Sequence, residues 1–415
     1  MKTVSVIILL LAMAAGPLAA QSVEFSGQLR ERSEFNDKSF RENQHHDVYH
    51  QLRTRLKAAA MVNEQVTVVA EIQDARTYGE ESSTMNEGAS HFDLRQGYVE
   101  VKGLADGLLG FKLGRQALAY ANERFLGGID WSPYGQTFDA GVLRLTAGDF
   151  RIDAIGAAVT RNPVAPSYTR DVFLTGAWAA WAPEKARYSV QAFFLYDNPA
   201  MTVLNTMYSQ NRMTAGIYAG GHLAGFDYEL DAAMQMGDYK ATGDQMRNIN
   251  ANMVGVRIGY SFPALAKLRI GAGYDRLSGQ DPNSADYGSF HTLYATNHKY
   301  YGFMDYFLNI PSTMNHLGLQ DIITQVSATP MEGFSVAADL HLFSTVSDPA
   351  GSSVFLRNNS YAIGTEVDLT AKWNVAKAVG MTLGYSMFSG DVDRAVLQGM
   401  TNKTNWAYLM TTVNF

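Results

Sequence analysis

The stretch YHQLRTRLKAAAM, Tyr49–Met61, decides how this chain folds. Read two residues at a time, it separates into two faces. Leu52, Leu56, Ala58 and Ala60 fall on one, and Arg53, Arg55 and Lys57 on the other. A period of two marks an extended strand, because successive side chains point to opposite sides of the backbone. A strand of this kind can face lipid on one side and water on the other. A Lys or Arg on the lipid face at mid-bilayer costs roughly 2–4 kcal/mol, so the three cations must face water.

The alternation recurs along the chain. Val254, Val256, Ile258, Tyr260 and Phe262 oppose Arg257, and Leu268, Ile270, Ala272 and Tyr274 oppose Arg269 and Asp275. Phe226, Tyr228, Leu230, Ala232 and Met234 oppose Asp227, Glu229 and Asp231; Tyr361, Ile363, Val367, Leu369, Ala371 and Trp373 oppose Glu366, Asp368 and Lys372. Between such segments, short breaks such as His222–Gly225 and Pro263–Ala266 take turns with long ones such as Ala117–Gln136 and Leu277–Leu317. That beat belongs to transmembrane barrels, whose periplasmic turns are tight and whose outer loops are free to grow. The reading is all-β: a transmembrane antiparallel β-barrel of about eighteen strands, from 22–34 to 404–415, with sixteen as the alternative. An even count leaves both termini on the periplasmic side. A soluble barrel would turn its apolar face inward, and eighteen strands would leave a hole too wide for wall side chains to fill.

Hydrophobic content is 47%, yet no apolar run beyond the N-terminus reaches the length of a helical membrane span. The absence of Cys excludes a disulfide framework and thiolate chemistry. A formal net charge of −7 gives no reason to expect nucleic acid as a partner. Residues 1–20 read as a signal peptide: Lys2 starts it, Val4–Ala15 is its apolar core, and Ala19-Ala20 offers small residues for cleavage before Gln21. Residues 21–415 then form a single barrel domain, placed in a bacterial outer membrane with its lipid as partner. Tyr361 and Trp373 lie twelve residues apart on one face. At about 3.3 Å per residue and roughly 40° of tilt they span about 30 Å, the height of an apolar band with its aromatic girdles. The last strand places Ala407, Leu409, Val413 and Phe415 on one face, and its edge is a natural handle for the barrel insertion machinery.

Four groups of segments carry a resemblance to a known family. They are KLGRQ (Lys112–Gln116); RFLG (Arg124–Gly127) with Asp130-Trp131 and Phe138-Asp139; HKYYGFMDYF (His298–Phe307) followed by GLQD (Gly318–Asp321); and GTEVD (Gly364–Asp368) leading to LGYSMF (Leu383–Phe388) and the terminal strand. In these the chain resembles the alginate export family of bacterial outer-membrane β-barrels. The resemblance implies an eighteen-stranded barrel with an arginine-lined pore that passes an anionic polysaccharide.

Strand parity assigns the pore lining. Arg30, Arg32, Arg53, Arg55, Lys57, Lys112, Arg257 and Arg269 are the basic lining residues; Glu71, Asp227, Glu229, Asp231, Asp275, Asp339, Glu366 and Asp368 are the acidic ones. The basic residues concentrate in the first two strands, which allows a one-sided ladder facing an acidic wall and a field across the lumen. The longest break, Leu277–Leu317, is rich in aromatics that are a liability in water. It is expected to fold inward as a constriction carrying His291, Tyr294, His298, Lys299, Tyr300, Tyr301 and Tyr306, the alternative being an outer cap. His45, His46 and His50 read as a solvated loop, and Asp281, Asn283 and Asp286 lack the remaining ligands of an EF-hand. No catalytic motif joins the Ser and His residues. The expectation is a channel without metal, cofactor or catalysis for polar or anionic solutes, saccharides first. A dedicated exporter of an anionic, alginate-like exopolysaccharide and a barrel-displayed enzyme or adhesin are the alternatives.

Overall fold

The computed structural model describes residues 21–40, 46–80, 91–161, 171–184, 187–203, 206–241, 245–349, 360–390 and 402–415. The segment read as a signal peptide and His45 lie outside the described residues. One antiparallel sheet contains β1 (Ser22–Asp37), β2 (Asp47–Met61), β3 (Val66–Thr77), β4 (Phe92–Leu104), β5 (Leu109–Gln116), β6 (Phe138–Ala147), β7 (Phe150–Thr160), β8 (Val172–Trp181) and β9 (Tyr188–Asp197). It continues through β10 (Ala200–Val203), β11 (Thr206–Leu223), β12 (Phe226–Ala241), β13 (Arg247–Phe262), β14 (Leu268–Leu277), β15 (Leu319–Met331), β16 (Phe334–Ser344), β17 (Ala362–Ala376), β18 (Val379–Gly390) and β19 (Lys403–Asn414). The short β10 pairs with the start of β11, and β9 pairs with β11 beyond it. The ring therefore has eighteen members, closed where β19 pairs with β1 from Gln28↔Asn414 to Asp37↔Asn405.

The turns at one end are tight. Ala224 and Gly225 join β11 to β12 with φ of 51° and 88°, the paired left-handed geometry that suits a twisted two-residue hairpin. At the closing seam Gly27 and Phe415 exchange backbone hydrogen bonds of 2.6 and 3.0 Å. A Cβ on Gly27 would lie 2.4 Å from the Phe415 ring, so the glycine makes the seat for that ring. The edge of the last strand is consequently paired in the finished barrel.

Parity sorts the side chains as the alternation predicts. Leu56, Ile258, Leu369 and Trp373 are exposed on the outer face, while Arg53, Asp231, Asp275 and Glu366 are buried on the inner one. Ile363 departs from its expected outward position. The β16–β17 register shifts between Phe343 and Ser344, and Ile363 turns into the interior core. The inner face is also less polar than expected. Val142, Ile155, Leu174, Trp178, Phe193 and Leu195 point inward and pack against side chains of the β5–β6 and β14–β15 loops, among them Leu118, Phe125, Leu126, Phe290, Tyr301 and Phe307. A ring this wide cannot bring its own walls into contact, so two loops fill it.

This arrangement changes what parity alone implies for chemical access. With Leu56→Cys, a water-soluble thiol reagent should fail to label the barrel in intact membranes; with Lys57→Cys it should succeed. Arg53→Cys, equally inward but sealed beneath a loop, should label slowly. Faster labelling at 56 than at 57 would place the register one residue off.

Candidate functional site in the barrel lumen

One side of the interior is basic. Alternation aims Arg30 and Arg32 of β1 and Arg53 and Arg55 of β2 inward, and all four are buried. Arg95 of β4 joins them because the β3–β4 register shifts between Glu71 and Ile72, which reverses parity there. Like charges so close need acceptors: the buried Glu34 of β1 takes Arg32 at 2.7 Å, Glu71 of β3 lies 3.8 Å from Arg55, and the β5–β6 loop brings the others. The Asp130 carbonyl accepts from Arg30 (2.7 Å) and Arg53 (2.9 Å), the Trp131 carbonyl from Arg30 and Arg32, and the Ser132 carbonyl from Arg30 and Arg53. The Asp130 carboxylate accepts from Arg55 at 2.5 Å and from Arg53 at 3.2 Å. Partial desolvation beside the wall would raise the pKa of the otherwise exposed Asp130 carboxyl, but Arg53 and Arg55 outweigh it and hold the group below its ordinary value. Arg95 donates to Glu71 at 3.0 Å, and Arg55 to Gln73 at 2.7 Å.

The other side is acidic. Asp231 (β12), Asp275 (β14), Asp321 (β15), Glu366 and Asp368 (β17) are all buried. The same β5–β6 loop inserts Arg124 here, 3.1 Å from Asp231 and 3.1 Å from Asp275, with its guanidinium 3.8 Å from the Tyr300 ring centroid. Burial disfavours the Arg124 charge, yet Asp275 and Asp231 more than compensate and raise its pKa. Arg257 also holds Asp275, at 2.6 and 3.0 Å, and His341 Nδ1 lies 2.8 Å from Asp321. The β14–β15 loop meets the wall through its backbone: Met304 N–H donates to Glu366 (2.7 Å) and Phe303 N–H to Asp368 (3.2 Å). Gly302, at φ +78°, lets the chain pass; a Cβ there would lie 2.5 Å from the Glu366 carboxylate.

The two loops are tied to each other. Gly127 N–H donates to the Tyr294 carbonyl, Tyr294 N–H to Phe125 and Thr296 N–H to Glu123. Lys299 reaches Glu123 at 2.5 Å. The Trp131 ring lies parallel to His298 at 4.2 Å, with the Arg32 guanidinium 4.2 Å from the Trp131 centroid. His298 bonds Asp305 at 2.6 Å, and the Tyr306 hydroxyl donates to the Lys38 carbonyl and accepts from the Thr404 hydroxyl. Tyr300 donates to the Asn122 carbonyl, and Tyr301 accepts from Arg124 at 3.3 Å. The His291 ring accepts from the Leu293 N–H, and burial lowers its pKa well below the ordinary value.

The remaining inward charges lie apart from this junction. Lys57 stands opposite Glu71, Lys112 sits 3.9 Å from the Tyr98 ring centroid, Arg269 holds Asp227 at 2.6 Å, and Asp339 stands opposite Asp368. Toward the short-turn end lies a cavity of about 550 Å³ lined by Tyr218, Glu229, Arg257, Arg269, Lys299 and Tyr300. Arg95, Arg124, Asp130, Trp131, Asp321 and His341 are not among the lining and constriction residues expected from sequence, although Arg124, Asp130, Trp131 and Asp321 lie in the segments that carry the family resemblance. Parity could have found Asp321 and His341. Nothing periodic marks Arg124 or Asp130. Among the described residues no group of three or more His, Asp or Glu side chains is arranged to hold a metal.

A closed eighteen-stranded ring with an apolar outer belt and a charged interior defines an outer-membrane β-barrel channel of the bacterial outer membrane. The chain belongs to the alginate export family, whose model matches residues 21–395. Among solved structures it is similar to Pseudomonas aeruginosa OccK9 (OpdG), at 10% identity and a TM-score of 0.60 over 95% of this chain and 99% of that one. P. aeruginosa OccK8 (OprE) gives 13% and 0.58 over 95% and 98%, and P. aeruginosa OpdK, solved with vanillate, 8% and 0.57 over 96% and 99%. These likenesses are of fold. No curated protein matches the chain.

Arg124 is the expected keystone of the loop. Arg124→Gln leaves Asp231 and Asp275 without their shared buried cation, a change that costs about 3–5 kcal/mol in comparable pairs. Thermal unfolding of the detergent-purified barrel should begin at a clearly lower temperature, and an unchanged midpoint would remove Arg124 from this role.

Proposed function

We propose that the channel passes anionic solutes, saccharide acids first, along the arginine face of β1, β2 and β4. One observation carries this reading. Five guanidiniums, those of Arg30, Arg32, Arg53, Arg55 and Arg95, gather on neighbouring strands, while Asp231, Asp275, Asp321, Glu366 and Asp368 gather elsewhere round the ring. Charges separated in this way set up a field across the lumen, and anions follow its basic side. The junction of the β5–β6 and β14–β15 loops is the constriction in this reading. The cavity next to it combines the Tyr218 and Tyr300 rings with Glu229, Arg257, Arg269 and Lys299, a mixture of flat apolar surface and polar partners suited to a sugar.

The family description, alginate export, supports an anionic polysaccharide as the cargo. The loop junction favours short solutes, because a polymer would have to part Arg124 from Asp231 and Asp275, or Asp130 from Arg53 and Arg55.

Bilayer recordings test the reading. The double variant Arg53→Gln, Arg55→Gln should lower anion preference, most at 0.01 M salt, where the Debye length is about 30 Å, and least at 1 M, where it is about 3 Å. Deleting Ser289–Asn309 should raise single-channel conductance. Unchanged reversal potentials in the double variant would take the arginines out of selectivity, and unchanged conductance in an inserted deletion variant would move the constriction elsewhere.

A further inference from the structure

The β5–β6 loop carries two opposite charges six positions apart, and each is lodged in the wall of the other sign. The two ends differ in exposure. Arg124 is 1% exposed between Asp231 and Asp275, themselves 2% and 0% exposed. The Asp130 side chain is 62% exposed, although its partners Arg53 and Arg55 are at 1% and 10%. The loop is thus anchored by its cation and open to the lumen at its anion.

The basic wall also holds more donors than the loop answers. Arg53 Nε, Arg55 Nη2 and Arg95 Nε are buried without a hydrogen-bond partner. Two of these guanidiniums face Gly135, where a Cβ would come within 3.0 Å of Arg55 Nη2 and 3.3 Å of Arg95 Nε. Asp130 offers one carboxylate oxygen to each of Arg53 and Arg55. A free carboxylate can instead approach an arginine through two parallel hydrogen bonds, the stronger geometry.

We propose that Asp130 is a resident counter-ion of the arginine wall, which the carboxylate of an anionic solute displaces in transit, so that Asp130 sets which anions pass. The inference rests on the anionic-solute reading above. Its logic is exchange. Arginines buried without a counter-ion are costly, and would hold an arriving carboxylate tightly. With Asp130 in place, one carboxylate replaces another and the wall stays paired throughout. Entry is permitted and exit is assisted, because the tethered carboxylate returns at high effective concentration. An anion that cannot match the carboxylate geometry, such as chloride, competes poorly.

Single-channel recordings with sodium glucuronate as probe test this. In Asp130→Asn the dwell time of glucuronate block should lengthen by about 2- to 5-fold, the scale of a solvent-facing ion pair, and chloride permeability relative to cations should rise. Asp130→Glu should restore both toward wild type. A folded-state control uses the absence of native Cys. Asp130→Cys should behave as Asp130→Asn, return toward wild type after modification with a sulfonate-bearing thiol reagent, and not return after a neutral reagent of similar size. If the sulfonate and neutral adducts behave alike, or Asp130→Asn changes neither dwell time nor chloride permeability, the counter-ion role is overturned. In that case a loss of anion preference in the Arg53→Gln, Arg55→Gln variant would leave the broader reading standing. If that double variant is silent as well, the anionic reading itself falls.

Discussion

The width of the ring governs everything inside it. Eighteen strands enclose a space that side chains projecting from opposite walls cannot span, and an unfilled apolar wall facing water would be unstable. The β5–β6 and β14–β15 loops occupy that space. Their apolar side chains cover Trp178, Phe193 and their neighbours, and their backbone groups need partners once removed from water. The inward arginines and carboxylates are those partners. Arg30, Arg32 and Arg53 donate to loop carbonyls, while Glu366 and Asp368 accept from loop N–H groups. The separation of charge around the wall therefore pairs the loop backbone and, in the proposed function, also supplies the field along which a solute moves.

This dual use explains why the walls keep charges that an ordinary protein interior would reject. A buried ion pair seldom outperforms a well-packed apolar pair in stability, and its value is in fixing one arrangement over others. Here the arrangement fixed is the path of a loop. Reversing the loop would set Arg124 against the arginines and Asp130 against Asp231 and Asp275, and both contacts would be repulsive. The Trp131–His298 stack beneath Arg32 and the Lys299–Glu123 pair then lock the second loop onto the first.

Much of the architecture was legible in the sequence because its signal is periodic. Tyr49–Met61 assigns its own two faces, and the long and short breaks assign the two ends of the barrel. Bulges are where simple alternation fails: Ile363 turns inward although Glu366 and Leu369 beyond it keep their expected faces, and Arg95 enters the basic wall at the β3–β4 shift. Loop residues had no period to betray them. Leu277–Leu317 stood out by its length and aromatics, whereas the part played by Arg124 and Asp130 depends on which walls they reach, a property of the closed ring. Parity also says which way Arg53 points without saying that a loop covers it.

The contrast between the two ends of the β5–β6 loop is the feature most closely tied to transport. A channel that binds too weakly admits nothing selectively, and one that binds too strongly releases nothing. Arg124, enclosed by two carboxylates and stacked on Tyr300, belongs to the permanent structure. Asp130 itself faces the lumen, while Arg53 and Arg55 lie buried behind it, so under the proposed exchange a solute carboxylate reaches these arginines only by taking the place of Asp130. Anchoring one end firmly confines the other to a small volume, so a displaced Asp130 stays close to its partners. In the proposed exchange the strength of the buried end thus supports the displacement of the exposed one, and a barrel with rigid walls gains a yielding contact where its two loops meet.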